Sequence, residues 1–270
     1  MKRWLFLAVI SLPLTAAAVV IRGDVDDAEY RIDGSAFPAL ADMPGEGHGA
    51  LIAPRWVVTA AHAAPMEGMH AQVTIDGQAY AVERVFVHPG YRRMPDLLGQ
   101  EALATGSPSR IHAFLAASDD IALVKLASPA AHVRPMQIYR GNEEVARIAT
   151  FIGKGATGNG DRGQNLHDAH RNTLRRAENA ITGANARYLW YRFDAPPHAL
   201  PHEGVLGSGD SGGPLMIQDK DGWQLIGLGS WITAVREHAL EAGFYGQVVH
   251  NVRISRYADW IDSVLQRERD

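Results

Sequence analysis

The run Gly209-Asp210-Ser211-Gly212-Gly213-Pro214-Leu215 constrains this chain more than any other. A serine bracketed by glycines at a tight turn holds its hydroxyl clear of its own backbone. The glycines also let a substrate carbonyl come close to the local N–H groups. A serine hydroxyl is a poor nucleophile until a base takes its proton. The fold must therefore bring a base, and a group that orients the base, to a turn near the C-terminal end.

Both candidates are present. Trp56-Val57-Val58-Thr59-Ala60-Ala61-His62 is an apolar, strand-like run that ends on a histidine. Asp120 opens a second apolar run, Ile121-Ala122-Leu123-Val124-Lys125-Leu126. The order His62, Asp120, Ser211 is one of the known chain orders for a Ser-His-Asp triad. Asp119 is adjacent, but successive strand side chains point to opposite faces, so Asp120 is the expected partner of the histidine.

On these residues the chain resembles the trypsin-like (chymotrypsin-fold) serine peptidases, as a cysteine-free, bacterial-type secreted member. The matching pieces are Thr59-Ala60-Ala61-His62, Asp120-Ile121-Ala122-Leu123, Gly209 to Pro214 and Ser230-Trp231, with Val87-His88-Pro89-Gly90-Tyr91 as a weaker fifth. The resemblance implies an all-β fold of two six-stranded antiparallel β-barrels with the active site between them, plus a C-terminal helix. One barrel is expected over 19–135, carrying His62 and Asp120. The other is expected over 136–270, carrying Ser211 and a terminal helix at about 254–267. The resemblance also implies an oxyanion hole from the N–H groups of Gly209 and Ser211, support of Asp120 by Ser230, and an ion pair between Asp210 and a freed N-terminus.

The strand pattern agrees with an all-β reading. Short apolar or alternating runs fall at 50–52, 56–60, 72–75, 80–87, 121–126, 145–152, 174–181, 188–193, 214–218, 223–231 and 247–252, punctuated by turn pairs such as Asp76-Gly77. Many short strands with turn signals suit antiparallel barrels. Ile254, Tyr257, Ala258, Ile261, Val264 and Leu265 share one helical face, and Ser255 is the expected N-cap. The segment 92–117 is an insertion before Asp120, with helical stretches expected at 97–104 and 111–117. Gly153 to Gly163 reads as a flexible surface loop, since it lacks the Lys-Ser/Thr ending of a phosphate loop.

Composition excludes other classes. The net charge of −4 gives no reason to expect nucleic acid or a membrane surface as partner. The twelve histidines are scattered. The close pairs His198/His202, next to Glu203, and His167/His170 lack further ligands, so neither a metal nor an organic cofactor is expected. Met1-Lys2-Arg3, the apolar Trp4 to Leu14 and the small residues to Ala18 read as a signal peptide over 1–18, which places the mature protein outside the cell or in a periplasm. The expected mature end is Val19-Val20-Ile21-Arg22-Gly23, with Arg22 where the family commonly has glycine. The chain has no cysteine. The family's disulfide beside the catalytic histidine would need cysteines near Gly47 and at Ala63, and the pocket-closing one stands at Gly207.

Specificity follows from the resemblance as well. The pocket floor aligns with Val205, where a preference for Lys or Arg needs a carboxylate. The wall after Ser230 carries Trp231 and Ile232, with Gly243 and Gly246 opposite. Glu203 is the alternative charged group if the loop shifts register. The expected activity is a serine endopeptidase that is not Lys/Arg-specific and acts on protein or peptide substrates. An esterase with the same triad and a non-catalytic peptide- or protein-binding member of the scaffold are the alternatives.

Overall fold

Buried apolar runs fold the first half of the chain into a closed barrel. In the computed structural model, which describes residues 19–66, 70–167, 172–220, 222–233 and 241–268, β1 (Val19–Ile21) leads and six strands then close on themselves. These are β2 (Leu40–Asp42), β3 (His48–Ala53), β4 (Trp56–Thr59), β5 (Gln72–Ile75), β6 (Gln78–Val87) and β7 (Ala122–Leu126), in the order β2-β3-β4-β7-β6-β5. Every residue of β4 and β7 is buried, so both read as continuous rather than alternating runs. The β5–β6 hairpin turns on Asp76 and Gly77, at φ 49° and 74°. Such a two-residue turn needs positive φ at both positions, which an Asp-Gly pair supplies.

The insertion between β6 and β7 is a helical hairpin, α1 (Asp96–Thr105) and α2 (Ser109–Ala116). Gly106 at φ 68° ends α1 in the left-handed conformation common at helix C-termini.

The second half contributes β8 (Gln137–Ile138), β9 (Ile148–Gly153), β10 (Thr157–Asn159), β11 (Gly163–Asn165), β12 (Arg175–Ala180), β13 (Gly183–Ala184), β14 (Tyr188–Arg192), β15 (Gly204–Val205), β16 (Pro214–Asp219), β17 (Gly222–Thr233) and β18 (Val248–Arg253). The main sheet runs β12-β9-β16-β17-β18-β14-β13, with β8 beside β17. A smaller sheet, β11-β10-β1-β15, packs with it.

The expected second barrel is therefore not closed. Its hydrogen-bonded ring stops at the outer edge of β12, which other chain segments occupy. Arg176 donates its N–H to the Tyr30 carbonyl and Glu178 donates to the His202 carbonyl, both at 2.9 Å. Those bonds occupy the edge of β12 that would otherwise face β13, the strand at the other end of the sheet. Buried Arg175 reinforces the contact through a two-point pairing with Asp27, at 2.6 and 2.8 Å. The planar guanidinium matches a carboxylate in this geometry.

After a 3-10 turn at Ile254–Tyr257 the chain ends in α3 (Ala258–Arg267). Ile261 and Val264 are buried against Trp56 and Ile121 of the first half and Leu225 and Leu228 of the second. Burial of each such side chain is worth about 2 kcal/mol, so α3 fastens the two halves together. Ser255 is not the N-cap of this helix. It sits inside the 3-10 turn, and its hydroxyl donates instead to Glu144 at 2.9 Å. The expected signal peptide and His170 lie outside the described residues.

Candidate active site

His62 stands just past the end of β4, in a short 3-10 turn at Ala61–Ala63. Asp120 stands immediately before buried Ile121, at the entry to β7, the strand that pairs with β4. Strand pairing alone therefore brings the two together. The His62 N–H donates to Asp120 Oδ1 at 3.0 Å, and the His62 Nδ1 lies 2.7 Å from Asp120 Oδ2. An ionised carboxylate only accepts, so Nδ1 carries the proton and Nε2 keeps its lone pair.

Ser230, on β17, donates its hydroxyl to the same Oδ2 at 2.5 Å. Asp120 is 4% exposed. Burial pushes its carboxyl up, but the charge and hydrogen bonds of His62, with the bond from Ser230, outweigh this and hold it below the usual range. For His62 burial acts downward, yet the Asp120 charge and hydrogen bond lift the ring above 6.5. Asp119 faces away from this pair, accepting from Arg187 at 2.7 Å and from the Tyr257 hydroxyl at 2.8 Å.

The Ser211 turn is fixed to the barrel strands that lead to His62. The Ser211 carbonyl accepts from the His48 N–H at 2.7 Å. Gly212, at φ 74°, lies so close to β4 that a Cβ would stand 2.2 Å from Thr59 Oγ1 and 2.4 Å from the His48 carbonyl oxygen. Only glycine fits there. A Cβ on Gly47 would be 3.0 Å from Ala63 Cβ and 3.1 Å from the Ser211 carbonyl oxygen. One glycine thus separates the serine turn from the residue after His62. Gly212 donates to the Gly229 carbonyl at 2.7 Å, which ties the turn to the residue before Ser230. Hydrogen bonds join His62, Asp120 and Ser230, and the backbone of Ser211 is tied to the strands that lead to His62.

Gly209 adopts φ 92°, a conformation a side chain would strain. Asp210 is fully buried. Its carboxylate accepts from the Gly155 N–H at 2.7 Å and the Gly207 N–H at 2.9 Å, with His48 Nδ1 at 4.0 Å. Burial raises its pKa to about 6 against the pull of those N–H groups.

The Gly153 to Gly163 stretch is thus not a free surface loop. Gly153 and Gly155 wall the Asp210 cradle, and a Cβ on either would strike its carboxylate. His48, buried at the start of β3, is a second neighbour that sequence reasoning missed. Its signal was a histidine set between Gly47 and Gly49 ahead of an apolar run.

The residues expected in the substrate pocket are spread over two strands and a loop. Val205, on β15, is buried and pairs with Val20 of β1. Gly243, at φ 93°, packs on the same Val20, with Cβ space closed by its Cγ2 at 3.0 Å. Trp231 and Ile232 follow Ser230 on β17 and pair with His250 and Val249 of β18. Glu203 does not reach this region. Its carboxylate accepts from the Asp194 N–H at 2.6 Å and the Leu200 N–H at 2.7 Å, closing the loop between them. Of the paired histidines, His202 lies 3.4 Å from Glu29, and among the described residues no group of three or more His, Cys, Asp or Glu side chains is arranged to hold a metal ion. No helix of the described residues is long and apolar enough to cross a membrane.

Among protein-family models, the one described as Trypsin matches residues 30–261.

Proposed function

This chain belongs to the trypsin family of serine peptidases, and from that premise we propose that it is an exported endopeptidase that cleaves peptide bonds through Ser211, His62 and Asp120. The observation that carries the reading is the hold on His62. Its Nδ1 is fixed by a buried carboxylate at 2.7 Å, while the backbone of Ser211 is anchored to the strands leading to the same ring.

Ser211 Oγ attacks the scissile carbonyl as His62 Nε2 takes its proton. The tetrahedral oxygen gains charge facing the N–H groups of Gly209 and Ser211, which have no acceptor among the described residues. His62 then gives the proton to the leaving amine, and the acyl-enzyme forms. Water, deprotonated by the same ring, releases the acid. Asp120 stays ionised throughout and stabilises the imidazolium.

An extended substrate has a place to bind. Past Gly229, residues 230–233 of β17 pair among the described residues with β18 on one side only, since β16 ends its pairing at Pro214 and Leu228. That free edge begins at Ser230, beside the triad, and accepts a peptide strand by backbone hydrogen bonds. Buried Val205 offers no carboxylate to a basic side chain, so the preference is for small or medium apolar residues before the cut.

The mature end is Val19, with the halves 19–135 and 136–270 flanking the cleft. In the full-length chain Val19 is held at φ 70°, a conformation costly for a β-branched residue. Cleavage of the bond before Val19 abolishes that torsion. Val19 pairs with Thr157 and Val20 with Val205. Continued backward, this register runs toward Gly155 and Gly207, whose N–H groups hold Asp210. A new α-amino group at Val19 is thus aimed at that carboxylate.

Labelling of the processed protein with a fluorophosphonate, together with casein cleavage, tests the proposal. Both activities are expected in the native protein and absent from S211A. Processed protein that is neither labelled nor proteolytic would leave only a binding role.

A further inference from the structure

The helical insertion meets residues that stand next to the triad in sequence, Ser118 before Asp120 and Trp231 after Ser230. It leaves the barrel after Tyr91 and returns at Ser118, two residues before Asp120. Its return is pinned by the Tyr188 hydroxyl, which lies within hydrogen-bonding reach of the carbonyls of Leu115 at 3.0 Å and Ser118 at 2.8 Å. The Arg92 N–H donates to the Ser118 hydroxyl at 3.0 Å and closes the base of the hairpin. An ion pair between Arg110 and Glu101 joins α2 to α1.

The inner side of α2 meets the residue next to Ser230. The His112 imidazole stacks on the Trp231 indole, with ring centres 5.7 Å apart and planes within 24°. The same indole lies on His250, at 3.7 Å and 6°. The Thr233 hydroxyl and the His250 Nε2 are 2.8 Å apart, which fixes the lower ring. Burial pushes His112 below its usual range, so at neutral pH it stacks as an uncharged ring. The other side of the hairpin is solvent-facing, with Leu97 and Leu103 70% and 75% exposed.

Building on the proteolytic reading above, we propose that His112 is a specificity-determining residue that ends the upstream half of the substrate cleft. An extended peptide on the free edge of β17 advances about 3.3 Å per residue. With its cleaved residue opposite Ser230, its second upstream neighbour stands opposite Ile232. Residues farther upstream must then pass the Trp231 indole, and the imidazole already occupies an indole face on which their side chains would pack. The enzyme gains transition-state binding from the first three residues before the cut, and nothing from the fourth.

The test uses a matched series of peptide anilides with one, two, three or four residues before the scissile bond. For the native enzyme kcat/KM rises to three residues and is flat from three to four. H112A uncovers the indole and raises kcat/KM about tenfold for the four-residue substrate, a gain typical of a filled apolar subsite. It leaves the one-residue substrate unchanged. H112W, which keeps α2 packed on the indole, preserves the flat profile and so separates blocking from loss of fold. Native kcat/KM that climbs through four residues overturns the proposal, as does an H112A effect equal at every length or absent. If no substrate turns over and fluorophosphonate does not label Ser211, the proteolytic reading itself fails and this one with it.

Discussion

The hydroxyl of Ser230 and the Nδ1 of His62 converge on one oxygen of Asp120, at 2.5 and 2.7 Å. The carboxylate that orients the ring is therefore itself oriented, by a group from the opposite half of the molecule. A hydrogen bond to a charged acceptor is worth about 1.5–3 kcal/mol. S230A should lower kcat/KM by about tenfold. Without the hydroxyl the carboxylate is less stabilised and holds the imidazolium more tightly, so the acid limb of the kcat/KM profile should also move to higher pH. A limb that stays in place would assign Ser230 a packing role only.

The sign of the pH dependence follows from the His62–Asp120 pair. His62 accepts a proton only when neutral, and Asp120 lifts its pKa above 6.5. Activity should climb as pH rises through that raised value. D120N removes the lifting charge, so the limb should move to lower pH while kcat falls by about 10⁴. Stability runs the other way. The raised pKa makes the ion pair fully stabilising below the unfolded value near 6.5, and this contribution is lost as pH climbs through the folded value. Denaturant titrations from pH 5 to 9, native protein against D120N, measure it.

Asp210 gives the third prediction. Its pKa is near 3.8 when unfolded and about 6 in the fold, so the folded state retains a proton that the unfolded state has lost. Stability of the full-length chain should therefore fall as pH rises from about 4 to 6, by roughly 3 kcal/mol at about 1.4 kcal/mol per unit. D210N changes only this carboxylate and leaves in place the groups that face it, His48, the charge of Arg175 and the N–H groups of Lys154, Gly155 and Gly207. Urea unfolding of full-length S211A should show the fall, and the D210N/S211A pair should not. In processed protein the α-amino group should reverse the outcome, with D210N costing activity rather than adding stability.

What the sequence made legible was local. The Asp-Gly turn, the continuous runs of β4 and β7 and the triad segments each carry their chemistry within a few residues. The insertion's helices also showed in its pattern, at nearly their observed bounds. What stayed hidden depends on partners distant in the chain. β1 is only three residues long and exists because Thr157–Asn159 and Gly204–Val205 flank it. The second barrel stays open because Tyr30 and His202 take the edge of β12. A strand expected from Val145 starts only at Ile148, because Ala146 takes φ 68° to donate to the Ile181 carbonyl. Ser255 has the chemistry of a cap, but Glu144 claims its hydroxyl.

The absent disulfide gives the last prediction. Gly47 and Ala63 do face each other where the resemblance would place paired cysteines. The geometry does not suit a bridge. A Cβ on Gly47 would lie 3.0 Å from Ala63 Cβ, whereas bridged cysteines hold their Cβ atoms about 3.8 Å apart. Gly47 is also at φ 116°, where any side chain is strained. Its Cβ would further crowd the Ser211 carbonyl oxygen at 3.1 Å. Restoring the pair as G47C/A63C should therefore return less than the usual 2–4 kcal/mol and should lower kcat by displacing the serine turn. Tm and kcat of the oxidised and reduced double variant decide the matter. A bridge that adds its full stabilisation at unchanged kcat would mean that the Gly47–Ala63 contact is slack rather than close-packed.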